Sequence, residues 1–488
     1  MDFIVSPLSI LIILTAISPI LAYVSRRLRV ERVMDVYTLV GLAVVVYLAV
    51  AQLLYVLSQD ATLTFNSTPR ETASIIFIDK LSAYASLVFV LVGLASALFS
   101  IGYIEERKAE YYPLLLTMIT GMVGVASSGD FLTFFVFWEV MSISAYALVA
   151  FRYKSWEAVE ASLKYLIISS AGTAAILFAL SLMYGVAGTL NIKALSAIFG
   201  LKDMRGEVWS YAILAFLLAG LGVNAAMVPF HSWLPDAHPA APSPISAMLS
   251  GVVIKTGVYA MFRVLTTMFP PTVYDWRAAL ALYAVVTMTV GNLMAMLQED
   301  IKRLLAFSSI AHIGYIVFGI SVASTNGLAG GLLHVLNHAT MKGLLFLSAG
   351  AFIHAAGTRS LDELSGIGRR MPISGVSFAI GAFSLAGIPG LSAFVSEFQI
   401  ITASLEAGML PFTVIMILNV LIGVAYYLRL VQVIFLKPLT PFSERAREAS
   451  PVMIAPVIAL AGLGILIGIY PSPFLETAKA VASSLLSR

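Results

Sequence analysis

Apolar runs of about twenty residues follow one another along almost the whole chain. That succession leaves few folds open. A run of this length crosses the hydrocarbon core of a bilayer as a helix. Lipid cannot satisfy backbone N–H and C=O groups, so each crossing segment must satisfy its own. The fold class expected is therefore an all-α polytopic membrane protein. About fourteen runs stand out, near 4–24, 34–57, 79–101, 112–129, 131–151, 161–185, 209–229, 243–263, 278–298, 304–322, 327–355, 374–404, 409–436 and 451–471. The least sharply marked are the junction at Gly129-Asp130 and the long eleventh and twelfth runs.

Composition agrees, with 60% hydrophobic and only 11% charged residues, against about 25% charged in soluble domains. Little of the chain is left for a soluble domain, and nucleic acid is not an expected partner. The absence of cysteine excludes disulfides, thiolate metal sites and cysteine-bound iron–sulfur clusters within this chain. Met1-Asp-Phe-Ile-Val lacks the basic flank of a cleavable signal, so the first run reads as a retained helix. Lys and Arg concentrate in connections after odd-numbered runs, for instance Arg26, Arg27, Arg29 and Arg32, then Arg359, Arg369 and Arg370. The positive-inside rule puts those connections in the cytoplasm and both termini outside the cell membrane. Asn66-Ser67-Thr68, a glycosylation sequon, then falls in an outer loop.

Two runs are interrupted. The seventh ends in Asn224-Ala-Ala-Met-Val-Pro229, and the twelfth contains Gly387-Ile-Pro389-Gly390. Proline removes a backbone donor and clashes with the preceding turn. Freed carbonyls at membrane depth are tolerated only beside protein or water. Broken helices five apart suggest inverted five-helix repeats, although two ordinary proline kinks would read the same. The resulting division is 1–110 (helices 1–3), 111–265 (helices 4–8, the first repeat), 278–436 (helices 9–13, the second) and 451–488 (helix 14 and tail).

Ionisable residues sit inside these runs: Glu139, Lys164, Lys255, His312, His334, His338, Lys342 and Glu397. Each charge at mid-membrane costs roughly 2.5–3.5 kcal/mol on insertion scales, and such residues mark ion paths. His334, His338 and Lys342 fall at i, i+4 and i+8, on one helix face over about 12 Å. Neutral imidazole both donates and accepts, which suits proton hopping; a packed face of core histidines is the plainer reading. A His-x-x-x-His pair can also bind zinc, but no acid lies on the same turns, so no metal and no other cofactor is expected. Glu397 follows the Pro389 break by a turn or two. His231, Asp236 and His238 read as a structured loop that caps helices.

The motifs carry a resemblance. Trp138-Glu139, Val228-Pro-Phe-His-Ser-Trp-Leu-Pro-Asp-Ala-His238 and Gly251-Val-Val-Ile-Lys-Thr-Gly-Val-Tyr259 look like one family, as do Asp300-Ile-Lys-Arg-Leu-Leu-Ala-Phe-Ser-Ser-Ile-Ala-His-Ile-Gly-Tyr315, Asn337-His-Ala-Thr-Met-Lys342 and Gly387-Ile-Pro-Gly-Leu-Ser-Ala-Phe-Val-Ser-Glu397. The chain resembles the antiporter-like membrane subunits over roughly residues 75–440. These are the L, M and N subunits of respiratory complex I, the A and D subunits of Mrp cation/proton antiporters, and relatives in group 4 hydrogenase complexes. The His238-Pro-Ala-Ala-Pro-Ser-Pro segment is most similar to the hydrogenase and Mrp branch.

The resemblance implies fourteen core helices with two inverted repeats, and a chain of buried ionisable groups. By motif that chain runs through Glu139, Lys255, His312, His334, His338, Lys342 and Glu397, with Lys164, Asn224, His231, Pro229 and Pro389 in support. It implies a non-catalytic subunit that moves protons, or exchanges protons for sodium, coupled to redox chemistry or ion flux elsewhere. Its partners would be other membrane subunits, including antiporter-like and small cation/proton antiporter-type ones, and lipid. The sequence ends soon after the fourteenth run, without the long lateral helix of the complex I L subunit.

One departure stands out. The family places a lysine five residues before the proline of its Val-Pro-x-His motif, paired with the fifth-helix glutamate. Here that position is Asn224. Glu139 then lacks its usual cation, and desolvation favours its neutral acid, with Asn224 or water as hydrogen-bond acceptor. Lys164 is the nearest replacement cation. A non-pumping structural subunit is the alternative that Asn224 favours, and a stand-alone solute carrier is a weaker third.

Overall fold

The structure is a computed structural model that describes residues 6–66, 74–200 and 207–486. In order it contains α1 (Pro7–Leu28), α2 (Arg32–Gln59), a hairpin of β1 (Leu63–Asn66) and β2 (Ser74–Ile78), α3 (Lys80–Tyr103), α4 (Lys108–Ser127), α5 (Phe131–Val149), α6 (Trp156–Ala187), α7 (Ile192–Phe199), α8 (Val208–Asn224), α9 (Leu234–Ala240), α10 (Ser243–Met248) and α11 (Ile254–Arg263). It continues through α12 (Arg277–Met296), α13 (Ile301–Ser321), α14 (Thr325–Ala356), α15 (Pro372–Leu385), α16 (Ser392–Glu406), α17 (Leu410–Phe435), α18 (Pro441–Glu444), α19 (Pro451–Ile469) and α20 (Ser472–Leu486). Turns of π-helix at Leu249–Val253 and Val264–Met268 join α10 and α11 into one rod, Ser243–Met268.

Among the described residues, 12 helices are long and apolar enough to cross a membrane by length and composition. Two shorter apolar helices, α8 and α15, lie where the sequence placed its breaks. The protein is nearly all helical and polytopic, as the apolar runs required.

The helix starts follow from side-chain caps, which supply acceptors for the otherwise unpaired first-turn N–H groups. Asp130 caps α5 by accepting from Thr133 N (2.8 Å), so the junction at Gly129-Asp130 is a true boundary. Asp300 caps α13, accepting from Lys302 N (2.8 Å) and Arg303 N (3.0 Å). The eleventh run is one helix of 32 residues, α14, about 48 Å long at 1.5 Å per residue. The twelfth is divided into α15 and α16.

Both broken helices end alike. Ala226, two residues past the end of α8, has φ +53°, and Gly387, two residues past the end of α15, has φ +73°. At the first break Ala226 N donates to Val223 O (3.1 Å) and Met227 N to Gly222 O (2.9 Å); at the second Gly387 N donates to Ser384 O (3.0 Å) and Ile388 N to Phe383 O (3.2 Å). These paired bonds satisfy carbonyls that a terminating helix leaves open.

Elements without a counterpart in the apolar runs are the β1–β2 hairpin, the amphipathic α7, the short α9 and α18, and α20, which packs on α14 and α3. The hairpin reaches the α4–α5 junction, where Gly129 N donates to Ile75 O (2.8 Å). Of the sequon, Ser67 and Thr68 lie outside the described residues. The centre of the bundle is the Ser243–Met268 rod and α13, whose most apolar stretches are wholly buried, with α14 beside them.

Candidate functional site: a buried row of ionisable groups

Lys255 follows the first π-helical turn of its rod, and its amine donates to the Ser250 carbonyl in that turn. Single π turns inside α-helices recur at functional sites because they open the regular hydrogen-bond ladder. Lys255 is 1% exposed, so the snorkelling available to a lysine near a span end does not occur. Gly257 next to it is fixed by close approach. A Cβ there would lie 2.8 Å from Leu221 O, 3.0 Å from Ala225 N and 3.0 Å from Asn224 Oδ1.

Asn224 faces this contact. Its Oδ1 accepts from Gly257 N (3.0 Å) and Thr256 Oγ1 (3.1 Å). The amide ties the end of α8 to α11. Glu139 is occupied elsewhere: it is half-buried on α5 and accepts from Thr173 Oγ1 of α6 (3.0 Å). Lys164 does not serve as its cation. Its amine pairs with Glu160 (2.8 Å) and Asp236 (3.2 Å), and Asp236 also binds Arg303 (2.9 Å). Arg359 extends this rim to Glu157 (2.6 Å) and Asp300 (2.7 Å). Ion pairs among charges close in sequence or at helix ends are the cheaper solution, because they leave no charge travelling into the bundle.

The three residues of the α14 face are fully buried. Lys342 donates to Leu305 O (3.1 Å), to Ser308 Oγ, and to the Tyr427 hydroxyl (3.3 Å). That hydroxyl also meets His312 Nε2 (3.2 Å). His312 Nδ1 shares a hydrogen bond with His334 Nε2 (3.0 Å), and His334 Nδ1 with Ser396 Oγ (2.9 Å). His338 lies against this pair, its ring centre 4.9 Å from that of His312 and 6.3 Å from that of His334. Glu397 brings a carboxylate oxygen within 4.8 Å of the ligating nitrogens of His312 and His334. Its Oε1 is buried with no hydrogen-bond partner among the described residues. The structure thus brings Lys342, His312, His334, His338 and Glu397 together, from α13, α14 and α16.

His231 is half-buried, with an unpartnered Nδ1, in the loop after Pro229. His238 goes further inward than a capping loop requires. It is wholly buried, stacks on Phe346 at 4.5 Å, and neither ring nitrogen has a hydrogen-bond partner among the described residues. Lys302 is itself buried and donates to Ala241 O (2.7 Å) and Ser246 Oγ (3.3 Å). Lys302, Tyr427, Ser396 and Ser308 had not been singled out from the sequence. Lys302 stands next to a cap at the start of an apolar run, where a lysine ordinarily reaches water. Tyr427 sits within an apolar run with no charge to mark it.

Arg263, at the end of the eighth apolar run, is buried and paired with Asp79, the two side chains being 4% and 2% exposed. Its second guanidinium nitrogen donates to Asp79 Oδ1 (2.8 Å), Tyr259 OH (3.0 Å) and Ser82 Oγ (3.1 Å).

Comparison with known proteins identifies the family and the fold. Residues 128–423 match the family described as NADH:quinone oxidoreductase/Mrp antiporter, transmembrane. The chain is 36% identical to the F(420)H(2) dehydrogenase subunit N of Methanosarcina mazei over 84% of this chain and 85% of that one. It is 32% identical to the NADH-quinone oxidoreductase subunit N of Desulforudis audaxviator over 80% of each. Its fold matches a chain of the Mrp complex from Dietzia sp. DQ12-45-1b with a TM-score of 0.89 and 26% identity, covering 98% of this chain and 97% of the other.

Proposed function

The chain belongs to the NADH:quinone oxidoreductase/Mrp antiporter transmembrane family, and from that premise we propose that it is an ion-translocating subunit of a multisubunit membrane complex. It moves protons, or exchanges protons for sodium, coupled to redox chemistry or ion flux in its partners. Those partners are other antiporter-like subunits and small cation/proton antiporter-type subunits in the same cell membrane, with both termini of this chain outside. The N subunits and the Mrp complex that it resembles are parts of such assemblies by name.

The observation that carries the reading is the unbroken polar row in an otherwise apolar core. Lys342, Tyr427, His312, His334 and Ser396 form consecutive hydrogen bonds, with Glu397 beside the last histidine. Among the described residues, Lys255 and Lys342 donate only to backbone and hydroxyl oxygens. A buried amine without a carboxylate is costly when charged, so it passes its proton on readily. In this reading Lys255 is the central relay, His338, His312 and His334 carry the proton along α14, and Glu397 is the outer gate. Uptake runs from the charged rim past Lys302 and His238. Glu139, half-buried on α5, keeps Thr173 Oγ1 as its hydrogen-bond donor in place of the cation that Lys164 does not supply.

The recurrence of the helix break supports an inverted repeat of helices 4–8 and 9–13. A second recurrence agrees. Phe131 N donates to Leu190 O and Ile192 N to Gly129 O in one half; Ile301 N donates to Arg359 O and Leu361 N to Glu299 O in the other.

A second reading, a structural subunit that does not pump, is favoured by one observation: the Asn224 amide is used to hold α8 against α11. Lys255→Met separates the two. It removes the amine and keeps the length. Translocation in sealed vesicles should fall at least about tenfold with assembly intact, one decade being about 1.4 kcal/mol of barrier. Unchanged translocation would transfer the case to the structural reading.

A further inference from the structure

The end of the row has a geometry that proton hopping does not require. His312, His334 and Glu397 each offer one ligand atom, all three atoms lying within 4.8 Å of one another. They come from three different helices, and the residues are 1%, 0% and 3% exposed. His312 Nδ1 and His334 Nε2 face each other at 3.0 Å. The opposite nitrogen of each ring is held from behind, His312 Nε2 by Tyr427 OH (3.2 Å) and His334 Nδ1 by Ser396 Oγ (2.9 Å). That is how metal-binding imidazoles are oriented: one nitrogen toward the ion, the other fixed by a partner. Ser396 is in turn held by Asn337 Nδ2 (3.0 Å). The third ligand atom is available too, since Glu397 Oε1 has no hydrogen-bond partner among the described residues.

We propose that His312, His334 and Glu397 form a binding site for a divalent cation of the zinc class, and that an ion seated there blocks the row. The second clause rests on the translocation reading; the first does not. Two imidazoles and one carboxylate with a fourth position left open are a zinc ligand set. Tetrahedral zinc with nitrogens at about 2.0–2.1 Å holds two of them about 3.3 Å apart. The two rings need only open by about 0.3 Å from their present hydrogen bond. Calcium and magnesium are poor occupants, because they need six or more oxygen ligands. The earlier expectation of no metal rested on the turns of α14 alone, where no acid is present. The acid arrives from α16.

The α15–α16 break is the part of the surface that lies over Glu397. A Cβ on Gly387 would lie 2.5 Å from Glu397 Oε2, so the carboxylate lies directly beneath the bare backbone of that residue. Gly387 is half-exposed, and Pro389 and Gly390 are exposed. The ion therefore meets Glu397 first, and the two imidazoles behind it.

The test uses the intact complex that contains this chain, purified in detergent and stripped with a chelator. Cobalt(II) is the probe, because its visible absorption is strong in tetrahedral sites and weak in octahedral ones. The parent complex should take up one more tetrahedral cobalt than His334→Gln or Glu397→Gln, and zinc should displace it. His338→Gln, which changes a neighbouring histidine outside the ligand set, should keep the full uptake. Equal uptake in all four overturns the site. So does zinc X-ray absorption of the parent without imidazole scattering, a measurement that needs no variant to assemble. Blockage is read separately, as loss of translocation in zinc-loaded vesicles and its return on chelation. If the parent binds cobalt as described and zinc leaves translocation untouched, the blocking clause falls. If uptake is equal in all four while metal-free Glu397→Gln vesicles fail to translocate, the site falls and the translocation reading stands.

Discussion

The Tyr427 hydroxyl touches both halves of the buried row, Lys342 Nζ at 3.3 Å and His312 Nε2 at 3.2 Å. Tyr427→Phe removes that oxygen and leaves the ring, which packs on Tyr426 at 4.6 Å between centres. No cavity larger than one oxygen is made. Lys342 keeps Leu305 O and Ser308 Oγ, so the ammonium is not stranded. If the hydroxyl serves only packing, its loss costs the net value of one ordinary hydrogen bond, about 0.5–1.5 kcal/mol of stability, and the rate is untouched. If it passes the proton, the lost bond is one to a charged group, worth about 1.5–3 kcal/mol. At about 1.4 kcal/mol per decade that is a drop of roughly ten- to hundredfold in translocation. The assay is quenching of a proton-sensitive dye in sealed vesicles, divided by the redox or sodium-driven turnover of the same vesicles. Subunit content checks assembly. A Tyr427→Phe complex that assembles and translocates at the parent rate refutes the row as a proton path.

Asp79→Ala should strip the buried Arg263 of its counter-ion and α3 of its cap at Ser82 N (2.9 Å). Removing one partner of a buried pair costs about 3–5 kcal/mol and a cap about 1 kcal/mol, whereas Asp79→Ala with Arg263→Met should recover part of the loss. Thermal unfolding of the three variants in detergent measures this, and a double variant no better than the single one would mean the pair is not the main term. Gly257→Ala must displace backbone at Leu221 and Ala225 as well as the Asn224 amide, a strain of about 1–3 kcal/mol for an overpacked core. Its melting temperature should fall and its translocation with it; a melting temperature equal to the parent's would show that α8 and α11 are not clamped there.

Much of the fold was legible because a bilayer admits so few solutions. Length and continuity of the apolar runs located the spans, and the prolines at 229 and 389 located both breaks. The boundary that looked weakest, Gly129-Asp130, is fixed by an Asp side chain bonding the third residue of the next helix. That is a local relation, and local relations can be read from sequence. The β1–β2 hairpin and α7 escaped because their apolar residues are too few to form a run, and the π turns around Lys255 because no residue type requires them.

The site divides on the same line. The α14 face, His334, His338 and Lys342, follows from a period of 3.6 residues and could be read directly. What that face meets could not. Glu397 and Tyr427 reach it from α16 and α17, a choice made by packing of helices far apart in sequence. Lys164, the nearest replacement cation for Glu139 in the sequence, is taken up elsewhere for a related reason. Glu160, one turn away on the same helix, and Asp236 satisfy the amine at its own level. An exposed i,i+4 pair needs no desolvation, whereas reaching Glu139 would take a charge into the bundle, so the rim pair wins. Applied to the whole chain, that comparison separates the charges into two sets. Those that found an opposite charge, such as Lys164, Arg303, Arg359 and Arg263, hold helices in place. Lys255, Lys342, Lys302 and the buried imidazoles have only neutral hydrogen-bond or ring partners among the described residues, and Lys342, His312 and His334 are joined through Tyr427. A fold that could have paired them and did not has kept them able to change charge.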